Sequence, residues 1–185
     1  MNKQGFLVTC IKNKEQSSQK EVMDQIYSSN YNPHLVKESD NFKKELEVAL
    51  SNLKKKKFEL ISLRNTQCIY LIQTMEDVLK IHKNFNINLK YTFKIIPLQK
   101  LIFINNFSPL NLSFIFDDLI FKLNLEKEKT YKINYEHRNT AKEKKEEIFN
   151  YLAKNIKLKV NLKEPDYIFN VQIVKNYLGC SVLKN

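Results

Sequence analysis

Residues 130–174, TYKINYEHRNTAKEKKEEIFNYLAKNIKLKVNLKEPDYIFNVQIV, decide the fold. Thr130 to Tyr135 reads as a strand. After the tripeptide Arg138-Asn139-Thr140, Thr140 and Glu143 stand at capping-box spacing. They predict a helix whose buried face holds Ile148, Leu152 and Ile156. From Lys157 to Lys163, Leu158, Val160 and Leu162 alternate with Lys157, Lys159, Asn161 and Lys163, the pattern of a half-buried strand. Pro165-Asp166 breaks the chain, and Tyr167 to Val174 reads as a buried strand. Strand, helix, strand in this order implies a right-handed crossover and a partly parallel sheet.

Upstream, Ser108-Pro109 supplies a capping hydroxyl and a proline at a first helical position. The apolar stripe Leu112, Ile115, Phe116, Leu119, Ile120 and Leu123 follows. Asp117 and Asp118 are adjacent, about 100° apart on a helix, so they make no carboxylate pair and are expected to hydrate its outer side. The first half reads differently. Gly5 to Ile11 is a strand, Val22, Met23, Ile26 and Tyr27 mark a helix, and Phe42 to Leu53 marks another. Phe58 to Leu63 and Cys68 to Ile72 are strands joined by a turn at Arg64 to Gln67. Thr74 is expected to cap a helix ending at Phe85, and Tyr91 to Ile96 is a further strand. Leaving aside the extra helix, the order is βαββαβ, the ferredoxin-like arrangement. The chain is therefore expected to be α+β, with residues 1–90 as one domain, residues 91–185 as a second, and the boundary near residues 88–97.

Composition narrows the function. The 185 residues include two glycines, Gly5 and Gly179, and 22 asparagines. A phosphate-cradling loop needs clustered glycines, so P-loop and Rossmann sites are excluded and a glycine-rich S-adenosylmethionine site is disfavoured. Cys10, Cys68 and Cys180 are far apart and each lies in an apolar run, which reads as buried free thiols. His34, His82 and His137 lack partners at ligand spacing, so no metal is expected. His82 is expected to be a packed histidine. The N-terminus has no apolar run of signal length, and Leu112 to Phe121 is too short to span a bilayer. These readings point to a soluble cytoplasmic or nuclear, including nucleolar, protein.

The net charge is +11. Lys129 to Lys163 holds ten basic and four acidic residues, which is the whole +6 excess of residues 91–185. Clustered cations suit a phosphate backbone, because each neutralised phosphate releases counterions. Arg138 and Asn139 precede an expected helix N-terminus, where N–H groups and the dipole favour an anion. Lys132, Lys142, Lys145, Lys157, Lys159 and Lys163 complete the candidate RNA-binding set. No catalytic constellation is visible.

The residues Thr130-Tyr131-Lys132-Ile133, Arg138-Asn139, Lys159-Val160-Asn161-Leu162-Lys163-Glu164-Pro165-Asp166-Tyr167 and Gly179-Cys180-Ser181-Val182 resemble a THUMP domain. More narrowly, together with Gly5 to Cys10 and Ile95-Ile96-Pro97-Leu98, they resemble the eukaryotic THUMP-domain adaptors of tRNA cytidine acetylation. The resemblance implies a ferredoxin-like domain followed by a THUMP domain that grips the tRNA acceptor end. It implies a non-catalytic protein without cofactors or a fused enzyme domain. Such a protein presents serine and leucine tRNAs to an RNA cytidine acetyltransferase, which uses acetyl-CoA and ATP to form acetylcytidine in the D arm. Two other readings remain at this level: a small enzyme acting on a phosphorylated or acidic substrate, and a general RNA-binding or ribosome-assembly factor.

Overall fold

The computed structural model describes residues 3–30, 57–85, 89–104, 109–138 and 144–185. The helix expected over Phe42 to Leu53 and the capping box at Thr140 and Glu143 lie outside these residues. The chain divides into two compact units, Gln4–Pro97 and Leu98–Asn185, with Lys3 belonging to the second.

The first unit runs β1 (Gln4–Cys10), α1 (Glu15–Asn30), β2 (Phe58–Ser62), β3 (Ile69–Thr74), α2 (Val78–Lys83) and β4 (Thr92–Leu98). Its sheet order is β2-β3-β1-β4, with β3 antiparallel to both β1 and β2. This is the expected βαββαβ arrangement. Alternation along the strands puts Phe6 and Val8 of β1 on the same face as Tyr70 and Ile72 of β3. Val22 and Ile26 of α1 and Val78 and Ile81 of α2 close over them. Buried Ser18 carries its hydroxyl to the Tyr70 Oη at 2.9 Å and the Thr92 Oγ1 at 2.7 Å, tying α1 to two strands.

Two expectations shift here. The cap of α2 is Asp77, whose carboxylate accepts from the Leu79 and Lys80 N–H groups. Thr74 closes β3 instead, donating to the Lys57 carbonyl at 2.8 Å and accepting from the Glu76 N–H at 3.1 Å. The division between units falls after Pro97, at the end of the expected span 88–97 and later than the expected domain end at residue 90, because β4 is a strand of the first sheet. His82 packs as expected: its Nε2 lies 3.2 Å from the Ile95 carbonyl, and burial lowers its pKa.

The second unit runs β5 (Lys100–Phe103), α3 (Pro109–Asn124), β6 (Thr130–Arg138), α4 (Lys144–Asn155), β7 (Lys159–Val160), β8 (Tyr167–Val174) and β9 (Tyr177–Lys184). The sheet order is β5-β9-β8-β6-β7. β6 is parallel to β7 and β8, while β9 is antiparallel to β8 and β5. The partly parallel sheet predicted from residues 130–174 is therefore present. The α3 stripe from Leu112 to Leu123 and the α4 residues Ile148 and Leu152 cover one face, against Phe169, Val171 and Ile173 of β8. Phe116 meets Phe169 edge-on with centroids 5.8 Å apart.

β5 had no counterpart in the sequence reading, because Lys100 breaks any apolar alternation. That lysine is buried, and its Nζ bonds the Asp118 carboxylate at 2.8 Å and the Phe114 carbonyl at 3.1 Å. Asp118 lies on the exposed outer side of α3, as expected, and also serves as the counter-ion of Lys100, an ion pair that holds its carboxyl below its usual range. Asp117 accepts from the Tyr151 hydroxyl and from Ser113, bridging α3 to α4. Gly179 is required by space rather than by dihedral freedom. A Cβ there would lie 2.4 Å from the Leu98 Cδ1, so its absence lets Leu98 lie on β9.

Candidate nucleic-acid interface

β6 runs from Thr130 to Arg138 and α4 returns antiparallel to it, so the basic segment is folded back on itself. Eight residue rises separate the two ends of β6, about 26 Å. Lys157, Lys159 and Lys163 lie at the amino edge, where Lys159 pairs with Thr130. Arg138 lies at the carboxyl edge, with Lys145 in the first turn of α4. Lys132 sits near the amino edge on the sheet face opposite the helices, half-buried. Asn139 and Lys142 lie outside the described residues. The candidate set thus forms two separate rims rather than one patch.

At the amino edge, the strand expected over Lys157 to Lys163 is only Lys159–Val160. Asn161 ends it: its Oδ1 accepts from the Lys163 N–H and the Glu164 N–H, each at 3.1 Å, and its Nδ2 donates to the Glu164 carbonyl. An asparagine that bonds its own downstream backbone competes with the ladder. Leu158 reaches the core, but Val160 and Leu162 are 61% and 74% exposed. The alternation therefore misled, since β7 is an edge with its apolar side chains uncovered. Lys157 is fixed by its N–H on the Asn124 Oδ1 at 2.9 Å. Among the described residues, the ammonium groups of Lys157, Lys159 and Lys163 make no ion pair.

Asp166 pins this edge together. It accepts from the Thr130 N–H at 2.9 Å, the Thr130 hydroxyl at 2.8 Å and the Lys129 Nζ at 3.1 Å, joining the starts of β6 and β8. These bonds, the backbone one first, hold its carboxyl at about 2. The folded value lies below the unfolded one near 3.9, so the stabilisation is complete above about pH 4 and lost as pH falls through about 2. Asp166→Asn is expected to lower the urea midpoint at neutral pH and to flatten its decline across that acidic window.

The carboxyl edge carries what the sequence reading missed. The register aligns Phe103, Tyr177, Val174 and Arg138 in one row across β5, β9, β8 and β6. All four belong to the face opposite the helices, and three strand spacings make the row about 14 Å wide. Phe103 is 53% exposed and meets Tyr177 edge-on at 5.1 Å. Lys175, at φ 54 in the tight turn between β8 and β9, donates its N–H to the Arg138 carbonyl at 3.1 Å. Among the described residues the Arg138 guanidinium makes no ion pair or hydrogen bond. On the helix side, the Lys145 Nζ lies 5.4 Å from the Phe149 ring centroid. A cation and an exposed ring on one sheet face suit phosphate and base respectively. The row was hidden because β5 was unassigned, and without it Phe103 has no register with Arg138.

A hollow lies in the first unit. It has a volume of about 390 Å³ between α2 and β4, and His82, Lys83, Phe93 and Lys94 help to line it. Among the described residues, no cluster of His, Cys, Asp and Glu forms a metal site, and no helix is long and apolar enough to cross a membrane.

A family model for the THUMP domain matches residues 117–183, from α3 to β9, so the second unit carries a THUMP domain. Among solved structures, the chain is similar to PH1313 from Pyrococcus horikoshii Ot3. The two are 11% identical with a TM-score of 0.57, and the match covers 98% of this chain and 55% of that one. The fold is therefore shared over nearly all of the present chain, which spans little more than half the length of that neighbour. Weaker likenesses reach TrmN from Thermus thermophilus, at 11% identity and TM-score 0.47 over 96% of this chain and 45% of that one. Another is the THUMP domain of THUMP domain-containing protein 1, at 24% identity and TM-score 0.34 over 44% of this chain and 93% of that one. No curated protein matches the chain.

Proposed function

We propose that this chain is a tRNA-binding adaptor, without catalysis of its own, that presents serine and leucine tRNAs to an RNA cytidine acetyltransferase. The carrying observation is a THUMP domain whose two sheet edges bear cations that no described carboxylate neutralises. The adaptor role rests on the sequence resemblance, and its setting is the cytoplasm or the nucleus.

The test has two parts. RNA co-purified with the chain is sequenced, and acetylcytidine in tRNA is measured after depletion. Enrichment of serine and leucine tRNAs with loss of acetylcytidine supports the proposal. Acetylation by the purified chain alone would sink it, since an adaptor must be inert without its enzyme.

Arg138 gives a sharper measurement. Arg138→Lys keeps the charge but loses the planar fork that bonds phosphate bidentately. Binding of tRNA is expected to weaken by about 1–2 kcal/mol, the size of one lost charged hydrogen bond, with an unchanged melting temperature. A lower melting temperature at unchanged affinity would make Arg138 a scaffold residue.

A further inference from the structure

The three cysteines are free thiols, and two of them, Cys10 and Cys68, are joined by a backbone hydrogen bond. β1 and β3 pair Phe6 with Ile72, Val8 with Tyr70 and Thr9 with Ile69. Cys68 stands in the turn immediately before β3, and the Cys10 N–H donates to its carbonyl at 2.9 Å. Both side chains join the cluster that holds Phe6, Val8, Tyr70 and Ile72, so both project from the same face of the sheet. The backbone hydrogen bond between them is a single one, since the Cys68 N–H goes to the Glu15 Oε1, and residues joined by one such backbone bond carry their Cα atoms within the about 4.4–6.8 Å that a disulfide spans. Cys180 belongs to the other unit and is fully buried.

We propose that Cys10 and Cys68 are a redox-modifiable pair that closes to a cross-strand disulfide when the chain meets a small-molecule disulfide such as oxidised glutathione. The two thiols differ in access. Cys68 is half-buried at the mouth of the strand pair, at φ 63, with its N–H held by the Glu15 Oε1 at 3.1 Å. Cys10 is 2% exposed, and burial and the Glu15 carboxylate raise its pKa. Cys68 therefore attacks first. Its thiolate takes one sulfur of the oxidised glutathione and releases one glutathione thiolate. Cys10, after losing its proton to solvent, attacks the Cys68 sulfur and releases the second. Two protein thiols are oxidised to one disulfide, and one glutathione disulfide is reduced to two thiols.

The test exposes the folded chain to oxidised glutathione, quenches with acid, denatures, alkylates with N-ethylmaleimide and maps the peptides. The expected result is an intact mass lower by two hydrogens, a linked peptide pair containing Cys10 and Cys68, and alkylation at Cys180 alone. Dithiothreitol should restore alkylation at all three. In Cys68→Ser, both remaining thiols should stay alkylatable. Full alkylation of the oxidised wild-type chain would overturn the proposal. So would a lasting glutathione adduct on Cys68 without the internal link, or a link that includes Cys180.

Discussion

Affinity for tRNA is expected to fall about a thousandfold as monovalent salt rises from about 50 to about 200 mM. The argument starts from contact number. The amino edge offers Lys157, Lys159 and Lys163, and the carboxyl edge offers Arg138, Lys145 and Lys175. Six phosphates neutralised give a log–log slope of about −5, at about −0.9 per contact on duplex. Because the two rims stand apart, their shares can be measured separately. Replacing Lys157, Lys159 and Lys163 together by glutamine should flatten the slope by about 3 units, whereas Arg138→Lys should leave it unchanged. Filter binding across a salt series reads both. An unchanged slope in the triple variant would take the amino edge off the RNA.

Phe169→Ala is expected to cost about 3–5 kcal/mol of stability in the second unit. Phe169 is fully buried on β8, which has β9 on one side and β6 on the other. Its ring meets Phe116 edge-on, so truncation removes an aromatic contact and leaves a cavity that α3 cannot fill without breaking its own packing. Urea unfolding followed by circular dichroism checks the value. Phe121→Ala on the same helix is the control: its side chain is 67% exposed, and its change should stay within about 0.5 kcal/mol.

Periodic burial made most of the fold legible. The α3 stripe, the α4 residues Ile148 and Leu152, and the run Tyr167 to Val174 face the core as their spacing requires. Local bonding did not show through in the same way. Thr74 and Asp77 are both plausible caps, and the choice fell to the one not needed at the end of β3. Lys157 to Lys163 alternates like a strand, but Asn161 turns the chain after two paired residues. Nothing around Lys100 in the sequence signals its burial, which rests on Asp118, 18 residues on, and on the Phe114 carbonyl. The site was legible as a collection of cations but not as an arrangement. Sequence proximity put Arg138 and Lys159 in one cluster, while the parallel crossover sends them to opposite ends of β6.

The strand order β5-β9-β8-β6-β7 also sets a timetable. β9 is the penultimate position in the sheet yet carries the highest residue numbers of any strand, and β5 touches the rest of the sheet only through it. The pair Lys100 and Cys180 is separated by most of the unit's sequence. Closing so long a loop costs entropy before any contact repays it, so this step should be slow. On a ribosome, β5 is made early and waits for its partner, while α3, β6, α4 and β8 already hold enough local contacts to collapse. During that interval β5 presents a bare edge, and the Lys100 charge within it discourages pairing with another nascent chain.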